Sequence, residues 1–402
     1  MRVLLSTIGS RGDVQPLVAL AIRLRALGHD ARLCVPPDFQ EWISALGFHV
    51  TPIGPELRKM TAASSSAAAA IMTPERRRQL AEASVAAQFA TVAAAAEGCQ
   101  TLVAATALQI AARSVSEKMG IPYVFAAYCA NVLPSPHHAP PPLPPLPGET
   151  PLPATARNEE RWARDTKRFN ALFGPTLDSH RATIGLPPVE DVRRHILGER
   201  PWLAADPVLG PWPDPADAHV FQSGAWLLED DRPLSPEIET FLDAGDPPVY
   251  LGFGSIRARP DLSKVMIETA RALGRRAIVL RGWADLSLLD EAPDCLAIDE
   301  TNLRALFARV AVAVHHGGAG TTTTAALGGS PQVILPQMYD QHYWAQQVER
   351  LGIGIAHAAG APTVESLTSA LERALLPEVA VRARSVAGMI RRDGADAAAS
   401  AI

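Results

Sequence analysis

The chain has 402 residues and a formal net charge of −5, with 48% hydrophobic and 20% charged residues. This length is enough for about two domains, and the lack of a basic face argues against nucleic acid as a partner. With four scattered cysteines, no signal-peptide layout and no long apolar run, we expect a cytoplasmic protein without zinc, a disulfide framework or a membrane-spanning segment.

The first part of the chain predicts an α/β domain. Short apolar runs bounded by turn residues predict strands at residues 3–6, 31–35, 101–105 and 123–128. Leucines at helical spacing after the first strand predict a helix that ends at Gly28, and a later helix is expected to end at Gly120. A strand, a helix and a strand in this order imply parallel strands joined by right-handed crossovers.

A proline-rich segment follows at residues 134–153 and contains the run APPPLPPLPGETP. Neither a helix nor a central strand can continue through so many prolines, because each proline removes a backbone donor. We expect a surface loop or flap, in which His137 and His138 are solvated.

A second α/β series begins near Pro248. It predicts strands at residues 249–253, 277–281, 310–315 and 332–335, and helices at residues 302–308 and 341–351. The stretch DPVLGPWPDPADA, which separates the two series, is rich in Pro and Asp, as is typical of linkers.

The predicted fold is α/β, with two Rossmann-like, doubly wound parallel-sheet domains that face each other across a cleft. We assign residues 1–205 to the first domain, 206–218 to the linker, 219–380 to the second domain and 381–402 to a C-terminal helix that packs back toward the first domain. Ligands of such sheets bind beyond the carboxyl ends of the strands, so the cleft is the expected site.

The stretch GSRGD, residues 9–13, lies between the first predicted strand and the first helix. It lacks the GxGxxG pattern of a dinucleotide-binding loop, and no acidic residue ends the next strand to hold a ribose. Asp13 can cap the helix, with Pro16 in the first turn, or it can lie at the mouth of the cleft as a base. The two roles are compatible, since a capping residue can also face a ligand.

The stretch HHGGAGTTTT, residues 315–324, follows another buried strand. Its glycines allow the backbone to approach a ligand, and Thr321 and Thr322 open a helix whose free N–H groups favour an anion. The two histidines at the strand end add donors. We expect a phosphate site, although glycine-rich turns also occur without ligands, and the absence of GxxxxGK[ST] excludes a P-loop kinase or ATPase.

Two further strand ends carry polar residues. In LPQMYDQ, Asp340 and Gln341 start a helix and form either an ordinary cap or a site for sugar hydroxyls, which need both donors and acceptors. In GFGS, Ser255 lies either in a plain tight turn or beside a ligand.

Together these stretches resemble the glycosyltransferases that decorate glycopeptide antibiotics of the vancomycin and teicoplanin type, which are nucleotide-sugar-dependent enzymes with the GT-B fold. The motifs that carry the resemblance are GSRGD with Pro16, EKMGIPY, IGLPPVED, PWLAADPVL, SGAW, VYLGFGS, RGWADL, HHGGAGTT and LPQMYDQ. Each motif is weak alone, but their order and spacing along the chain make the match specific. The fold of this family agrees with the tandem domains predicted above.

The resemblance implies roles for individual residues. Asp13 is the general base that removes the proton of the acceptor hydroxyl, since Ile8 and Gly9 offer no histidine like that of the plant relatives. The acceptor is expected to contact Tyr128, Asn131 and His137. The sugar donor is expected to contact Ser10, Arg11, Gly12, Ser255, Ile298, His315, Gly318, Ala319, Gly320, Thr321, Asp340 and Gln341.

Within the donor set, the resemblance distinguishes three parts. The backbone of Ile298 pairs with the nucleobase. His315 and the amides of residues 318–321 hold the diphosphate, with Ser255 nearby. Asp340 and Gln341 contact the sugar.

The implied reaction is an inverting glycosyl transfer to a hydroxyl of a heptapeptide aglycone. A helix N-terminus and His315 hold the charge of the leaving diphosphate, so no metal and no cofactor are expected. As HHGGAGTT and LPQMYDQ are closer to the glucosyl-type members, we expect UDP-glucose or UDP-N-acetylglucosamine as the donor, with a dTDP-deoxyaminosugar as the alternative. The family suggests a monomer.

Two other functions fit the fold. A nucleotide-sugar epimerase can share the two-domain shape, but it needs no acceptor and leaves the proline-rich flap unexplained. A non-catalytic glycosyltransferase-like partner protein usually loses the base or the diphosphate loop, whereas Asp13 and residues 315–322 are intact.

Overall fold

The computed structural model describes residues 1–58, 73–143, 149–214, 217, 219–254, 261–283, 286–358 and 360–402. These residues form two compact units. The first unit consists of Met1–Ala205, Pro211–Leu228 and Arg392–Ile402, and the second consists of Asp206–Gly210 and Glu229–Arg391. Each unit is built on one parallel sheet with helices, which confirms the predicted α/β class.

The first unit contains seven parallel strands in the order β3–β2–β1–β4–β5–β6–β7. The strands are β1 (Arg2–Thr7), β2 (Asp30–Val35), β3 (His49–Pro52), β4 (Thr101–Ala105), β5 (Tyr123–Ala127), β6 (Trp202–Leu203) and β7 (Phe221–Gln222). The helices are α1 (Arg11–Ala26), α2 (Gln40–Ala45), α3 (Pro74–Ala95), α4 (Ala112–Met119), α5 (Asn158–Thr183) and α6 (Val192–Leu197), with short 3₁₀ turns at Pro37–Phe39 and Ala130–Val132.

The second unit repeats this order with six parallel strands, β10–β9–β8–β11–β12–β13. The strands are β8 (Val249–Gly252), β9 (Ala277–Leu280), β10 (Cys295–Ile298), β11 (Val312–His315), β12 (Gln332–Ile334) and β13 (Gly354–Ala356). The helices are α7 (Pro236–Asp243), α8 (Leu262–Ala272), α9 (Leu303–Phe307), α10 (Ala319–Leu327), α11 (Gln341–Arg350), α12 (Val364–Ala374) and α13 (Pro377–Ala387), and a last helix, α14 (Gly394–Ser400), belongs to the first unit.

The burial pattern of β1 and α1 explains their places in the first unit. Val3, Leu4 and Leu5 are fully buried, as expected for a central parallel strand that helices cover on both faces. The fully buried Leu17 and Leu20 lie on the face of α1 that meets the sheet, and burial of each side chain contributes about 1.5–3 kcal/mol. The position of α1 therefore follows from its apolar stripe.

All eight strands predicted from the sequence are present, with ends that agree within two residues. The sequence analysis missed the five short strands of two to four residues: β3, β6, β7, β10 and β13. These strands lie at the sheet edges or next to an edge, where fewer apolar side chains are needed. Their sequences are therefore too short and too mixed to show a strand period.

The start of α1 corrects one prediction. The helix begins at Arg11, so Pro16 lies in the second turn and not in the first. The early start follows from a capping box, in which Ser10 is the N-cap and Asp13 is the third helical residue.

The end of the chain also differs from the prediction of one C-terminal helix over residues 381–402. Two helices, α13 and α14, replace it, and only Arg392–Ile402 belongs to the first unit. There α14 packs on α1, with an ion pair of 3.3 Å between Arg23 and Asp396. A Cβ on Gly394 would lie 2.4 Å from the carbonyl oxygen of Ala225, so only glycine permits this approach.

The predicted linker is divided between the two units. Asp206–Gly210 belongs to the second unit, whereas Pro211–Leu228, which includes β7, belongs to the first. The Asp206 carboxylate accepts hydrogen bonds from the N–H groups of Val208 and Leu209, which fixes a tight turn. The second unit therefore resumes at Glu229 rather than at the predicted residue 219.

None of the helices in the described part of the chain is long and apolar enough to cross a membrane.

Candidate active site

The strand order reverses once in each sheet, and each reversal marks a place where α/β sheets bind ligands. In the first unit the reversal lies between β1 and β4, and in the second it lies between β8 and β11. The loops that leave these four strands include GSRGD, Thr106, GFG and HHGG. The motifs GSRGD and HHGG and the described part of GFGS therefore lie at the two switch points, whereas LPQMYDQ follows the neighbouring strand β12.

Asp13 is held at the N-terminus of α1. Its Oδ2 atom accepts a hydrogen bond of 2.6 Å from the N–H of Ser10 and one of 3.2 Å from the Ser10 hydroxyl. The carboxylate is partly buried and lies at the positive end of the helix dipole. The hydrogen bonds from Ser10 hold the carboxylate in one place, and a positioned carboxylate is a group that can act as a general base.

Gly9 makes room for this carboxylate, a role that the sequence analysis did not assign. A Cβ on Gly9 would lie 2.2 Å from Oδ2 of Asp13 and 2.8 Å from its Cβ. Because the Asp13 side chain is short, it cannot avoid such a methyl group by a small rotation. The glycine that follows β1 was the only sequence signal for this requirement.

The other predicted residues of GSRGD have partners within the first unit. The N–H and the hydroxyl of Ser10 both donate hydrogen bonds to Asp13, and Gly12 is exposed. The Arg11 guanidinium carbon lies 4.4 Å from the centre of the Trp42 ring, and its Nε donates to Oε1 of Gln15. The structure thus directs Arg11 toward α2, where a cation–π contact holds it.

Of the three predicted acceptor residues, the structure brings only Tyr128 to Asp13. The Tyr128 hydroxyl donates a hydrogen bond of 2.9 Å to the main-chain carbonyl of Asp13. Asn131 is buried, and its Oδ1 atom has no hydrogen-bond partner among the described residues. His137 is exposed, and its N–H donates to the Ser135 hydroxyl.

The described parts of the proline-rich segment are attached to α5. The Trp162 indole N–H donates to the carbonyl of His138, and Arg164 and Arg168 both contact the Glu149 carboxylate. The prediction that His138 is solvated is wrong, because its ring is partly buried against Trp162 and Trp212. Burial of this ring lowers the pKa of His138.

In the second unit, α10 begins at the predicted phosphate loop. The N–H groups of Ala319, Gly320 and Thr321 have no intrahelical partner, because they lie in the first turn of the helix. The N-cap residue is Gly318, which has no side chain that could accept a hydrogen bond from them. The next residues do not supply hydroxyl donors, because the hydroxyls of Thr322, Thr323 and Thr324 bond to carbonyls four residues earlier. The helix therefore presents main-chain amides and its dipole to an anion.

His315 lies at the end of β11 and is fully buried. Its Nδ1 accepts from the N–H of Gly317 at 3.0 Å, so Nε2 carries the proton and donates to Oε1 of Gln332 at 2.9 Å. Burial lowers the pKa of His315 to about 4, which keeps the ring neutral. The side chain predicted to hold the diphosphate is thus occupied in shaping the loop that precedes α10.

The adjacent His316 differs from His315, whose two ring nitrogens both form hydrogen bonds within the protein. Its Nδ1 is buried without a hydrogen-bond partner among the described residues, and burial lowers its pKa to about 3. A Cβ on Gly318 would lie 2.6 Å from Nε2 of His316, so the glycine is needed where the ring passes the helix N-cap.

Asp340 and Gln341 mark the start of α11, as predicted. Oδ2 of Asp340 accepts from the Trp344 indole N–H at 3.1 Å, and burial raises the pKa of this carboxyl to about 6. Oε1 of Gln341 accepts from the N–H groups of Gln337 and Met338, at 2.7 and 3.1 Å. The Gln341 side chain thus fixes the loop before the helix, and its amino group remains the end that can donate to a ligand.

The predicted nucleobase contact was the main chain of Ile298. Ile298 ends β10, an edge strand, and its carbonyl accepts from the N–H of Arg281 in the direction of β9. Because main-chain groups of successive residues point to opposite sides of a strand, Ala297 faces the open edge instead. The predicted Ser255 lies outside the described residues.

Comparison with curated proteins identifies the family. The chain is 51% identical to the glycosyltransferase GtfE of Amycolatopsis orientalis and 50% identical to the vancomycin aglycone glucosyltransferase of the same organism, in each case over 99% of this chain and 96% of the relative. The chain belongs to the glycopeptide-antibiotic glycosyltransferases. A dTDP-epi-vancosaminyltransferase of that organism is 44% identical over 96% of this chain and 93% of the relative.

Two family models match parts of this glycosyltransferase. Residues 3–134 match the glycosyltransferase family 28 N-terminal domain, and residues 265–397 match the C-terminal domain of the erythromycin biosynthesis protein CIII-like family. Among solved structures, the glycotransferase of kitacinnamycin has a TM-score of 0.74 at 21% identity, covering all of this chain and 97% of that chain. The expected GT-B fold is therefore confirmed.

For this glycosyltransferase, the two switch points differ in the chemistry they offer. The first presents a carboxylate, and the second presents amide donors, with Asp340 and Gln341 after the adjacent strand β12. In the described part of the chain, no three or more His, Cys, Asp or Glu side chains group in a way that could hold a metal ion.

Proposed function

We propose that this protein transfers a hexose, glucose or N-acetylglucosamine, from a UDP-sugar to a hydroxyl of a glycopeptide heptapeptide aglycone, with inversion at the anomeric carbon. The observation that carries the proposal is the Asp13 carboxylate, fixed by Ser10 at the helix N-terminus beside the first switch point. The 50% identity to the vancomycin aglycone glucosyltransferase supports the acceptor class and the glucosyl donor.

Asp13 acts as the general base in this proposal. As the acceptor oxygen forms its bond to the anomeric carbon, its proton passes to the Asp13 carboxylate, and the bond between that carbon and the diphosphate oxygen breaks. The nucleoside diphosphate leaves with the bonding electrons. A positioned base contributes about 10²- to 10⁴-fold to the rate of such a step.

The second unit binds the donor. The free amides at the start of α10 and the positive end of its dipole stabilise the charge on the leaving diphosphate. We assign His315 to the support of this loop, because both ring nitrogens bond within the protein. Asp340 and the Gln341 amino group bind sugar hydroxyls, and the edge of β10 at Ala297 meets the nucleobase.

The first unit binds the aglycone next to Asp13. The proline-rich segment is the proposed rim of this site, because it belongs to the first unit and follows Tyr128, which contacts Asp13. Its described parts contact α5 through His138 and Glu149. These contacts hold His138 and Glu149 in place before the acceptor binds, which lowers the entropy cost of ordering them on binding.

The raised pKa of Asp340 predicts a pH dependence of donor binding. The ionised carboxylate accepts hydrogen bonds from two sugar hydroxyls, whereas the protonated form loses one acceptor. Since burial raises the pKa to about 6, the donor KM is expected to fall as the pH rises through about 6. The measurement is donor KM against pH for the wild type and Asp340→Asn, and the variant should lack this step.

If the pH dependence of donor KM were unchanged in Asp340→Asn, Asp340 would have no role in sugar binding.

The stability of the fold should depend on pH in the opposite direction to donor affinity. Between pH about 4 and 6 the folded chain keeps a proton on Asp340 that the unfolded chain has lost, so the free energy of unfolding should fall as the pH rises across this window.

The experiment that tests the proposed function is mass spectrometry of reaction mixtures with the purified protein. Vancomycin-type and teicoplanin-type aglycones are each incubated with UDP-glucose, UDP-N-acetylglucosamine or a dTDP-deoxyaminosugar. The proposal predicts a mass gain of one hexose or one N-acetylhexosamine on an aglycone, and Asp13→Asn serves as the low-activity control.

The other outcomes are equally distinct. A gain with the dTDP-sugar alone would keep the reaction and overturn the proposed donor. Release of UDP without any gain on either aglycone would contradict the proposed acceptor, and no turnover with any pair would contradict the function as a whole.

A further inference from the structure

The turn that carries Asp13 is held from outside by two hydroxyl groups. The Thr106 hydroxyl, just beyond β4, donates a hydrogen bond of 3.2 Å to the carbonyl of Ile8. The Tyr128 hydroxyl, just beyond β5, donates one of 2.9 Å to the carbonyl of Asp13. The two bonds reach the first and the last residue of the turn, 98 and 115 positions away in sequence.

This outside support is needed because of how the turn is built. The bonds between Ser10 and Asp13 are internal to the turn and do not fix it relative to the sheet. The turn also contains Gly9 and Gly12, which leave its backbone more conformational freedom than other residues would. Bonds from the neighbouring strand ends fix the direction in which the turn presents its carboxylate.

Thr106 adopts an unusual backbone conformation for this contact. Its φ is 73°, in the left-handed region that a β-branched residue rarely occupies. Such a conformation is unfavourable by itself and persists only where its surroundings determine it. It lies at the switch point, beside the loop that leaves β1.

Tyr128 is oriented by buried aromatic neighbours. Its ring meets Trp226 edge to face at 6.2 Å, and the Trp226 indole N–H donates to the Ser223 hydroxyl at 2.9 Å. Trp226 in turn packs edge to face on Trp202. Burial raises the pKa of Tyr128 well above its ordinary value, so the hydroxyl keeps its proton and remains a donor.

We propose that Thr106 and Tyr128 are positioning residues that brace the turn from Ile8 to Asp13 and thereby aim the Asp13 carboxylate at the acceptor hydroxyl. This inference rests on the proposed function, in which Asp13 is the base. Tyr128, which the resemblance assigned to the acceptor, acts in this proposal through Asp13. A displacement of about 1 Å at a reacting group can cost about 10²-fold in rate, which sets the scale of the expected effect.

The first test removes each hydroxyl while keeping the shape of its side chain. Tyr128→Phe and Thr106→Val are each expected to lower kcat by about 10- to 10²-fold, with the KM of donor and acceptor changed less than about threefold. Thr106→Ser, which keeps the hydroxyl, is expected to retain most of the activity. A rise in acceptor KM at unchanged kcat would instead make Tyr128 a binding residue and overturn the proposal.

A double-mutant cycle separates a positioning role from a general structural one. If Tyr128 acts through Asp13, Tyr128→Phe should change kcat less than about twofold in the Asp13→Asn background. Additive losses in the double variant would overturn the proposal. Wild-type turnover of Asp13→Asn alone would instead overturn the proposed role of Asp13 as the base, so the two failures are distinguishable.

Tyr123 provides the matched control. It begins β5, and its hydroxyl also donates to a main-chain carbonyl, that of Ile196 at 2.8 Å. Tyr123→Phe therefore removes the same kind of bond from the other end of β5, without touching the turn. Its kcat should remain near that of the wild type, and an equal loss in the two variants at equal stability would contradict the brace.

Discussion

Replacement of Asp13 by asparagine is expected to lower kcat by about 10²- to 10⁴-fold while the fold is retained. Asparagine has nearly the same shape, and its amide oxygen can still accept the hydrogen bond that the Ser10 N–H donates to the carboxylate. It cannot take up a proton at neutral pH. The acceptor hydroxyl then has to lose its proton to water, and the KM values should change little.

The measurement is steady-state turnover of the purified variant, together with its thermal unfolding. Asp178→Asn is a suitable control, because the Asp178 carboxylate also accepts from a main-chain N–H, that of Val189 at 2.8 Å, in a different part of the first unit. That control should turn over like the wild type. If Asp13→Asn did so as well, Asp13 would have no part in the chemical step.

Replacement of Gly9 by alanine is expected to be nearly as damaging, although it changes no polar group. The new methyl carbon would lie 2.2 Å from Oδ2 and 2.4 Å from Cγ of Asp13, far inside van der Waals contact. The carboxylate would have to leave its place beside Ser10, and a shift of about 1 Å or more is expected to cost at least about 10²-fold in kcat. The loss should not exceed that of Asp13→Asn by much, because both act on the same group.

Turnover of Gly9→Ala should be measured beside Gly388→Ala. Among the described residues, a Cβ on Gly388, the C-cap of α13, would meet the carbonyl oxygen of Ser385 at 3.6 Å, an ordinary contact. Because Gly388 has right-handed helical backbone angles, this change is expected to be neutral or slightly stabilising. Full activity of Gly9→Ala would mean that the carboxylate does not need the position in which the structure holds it.

Local patterns were sufficient to predict most of the sheet and to single out the loops that leave its central strands. The apolar runs of β1, β4 and β8 predicted central strands, and the loops that follow β1 and β8 lie at the switch points. Asp13 could be singled out because a helix cap and a base would use the same carboxylate at the same place, shortly after a strand. The order of the strands, and hence the two switch points, could not be read from these patterns.

The remaining features depend on partners that are distant in sequence. No local signal shows that His315 forms a hydrogen bond with Gln332, because the two side chains meet only when β11 and β12 pair in the sheet. The contact of Tyr128 with Asp13 requires β5 to lie two strands from β1. The left-handed conformation of Thr106 is the least predictable feature, since the residue type argues against it.

The last eleven residues have a consequence for the design of hybrid enzymes. Because Arg392–Ile402 folds with the first unit, that unit contains both the N-terminal and the C-terminal residues of the chain, and the two units are not consecutive in sequence. A single crossover between two parent genes would pair α1 and Ala225 of one parent with the α14 of the other, although α14 packs on α1 and Gly394 lies too close to Ala225 to carry a side chain. An exchange of donor specificity should therefore replace an internal cassette, from about Glu229 to Arg391, and leave both ends of the gene from one parent.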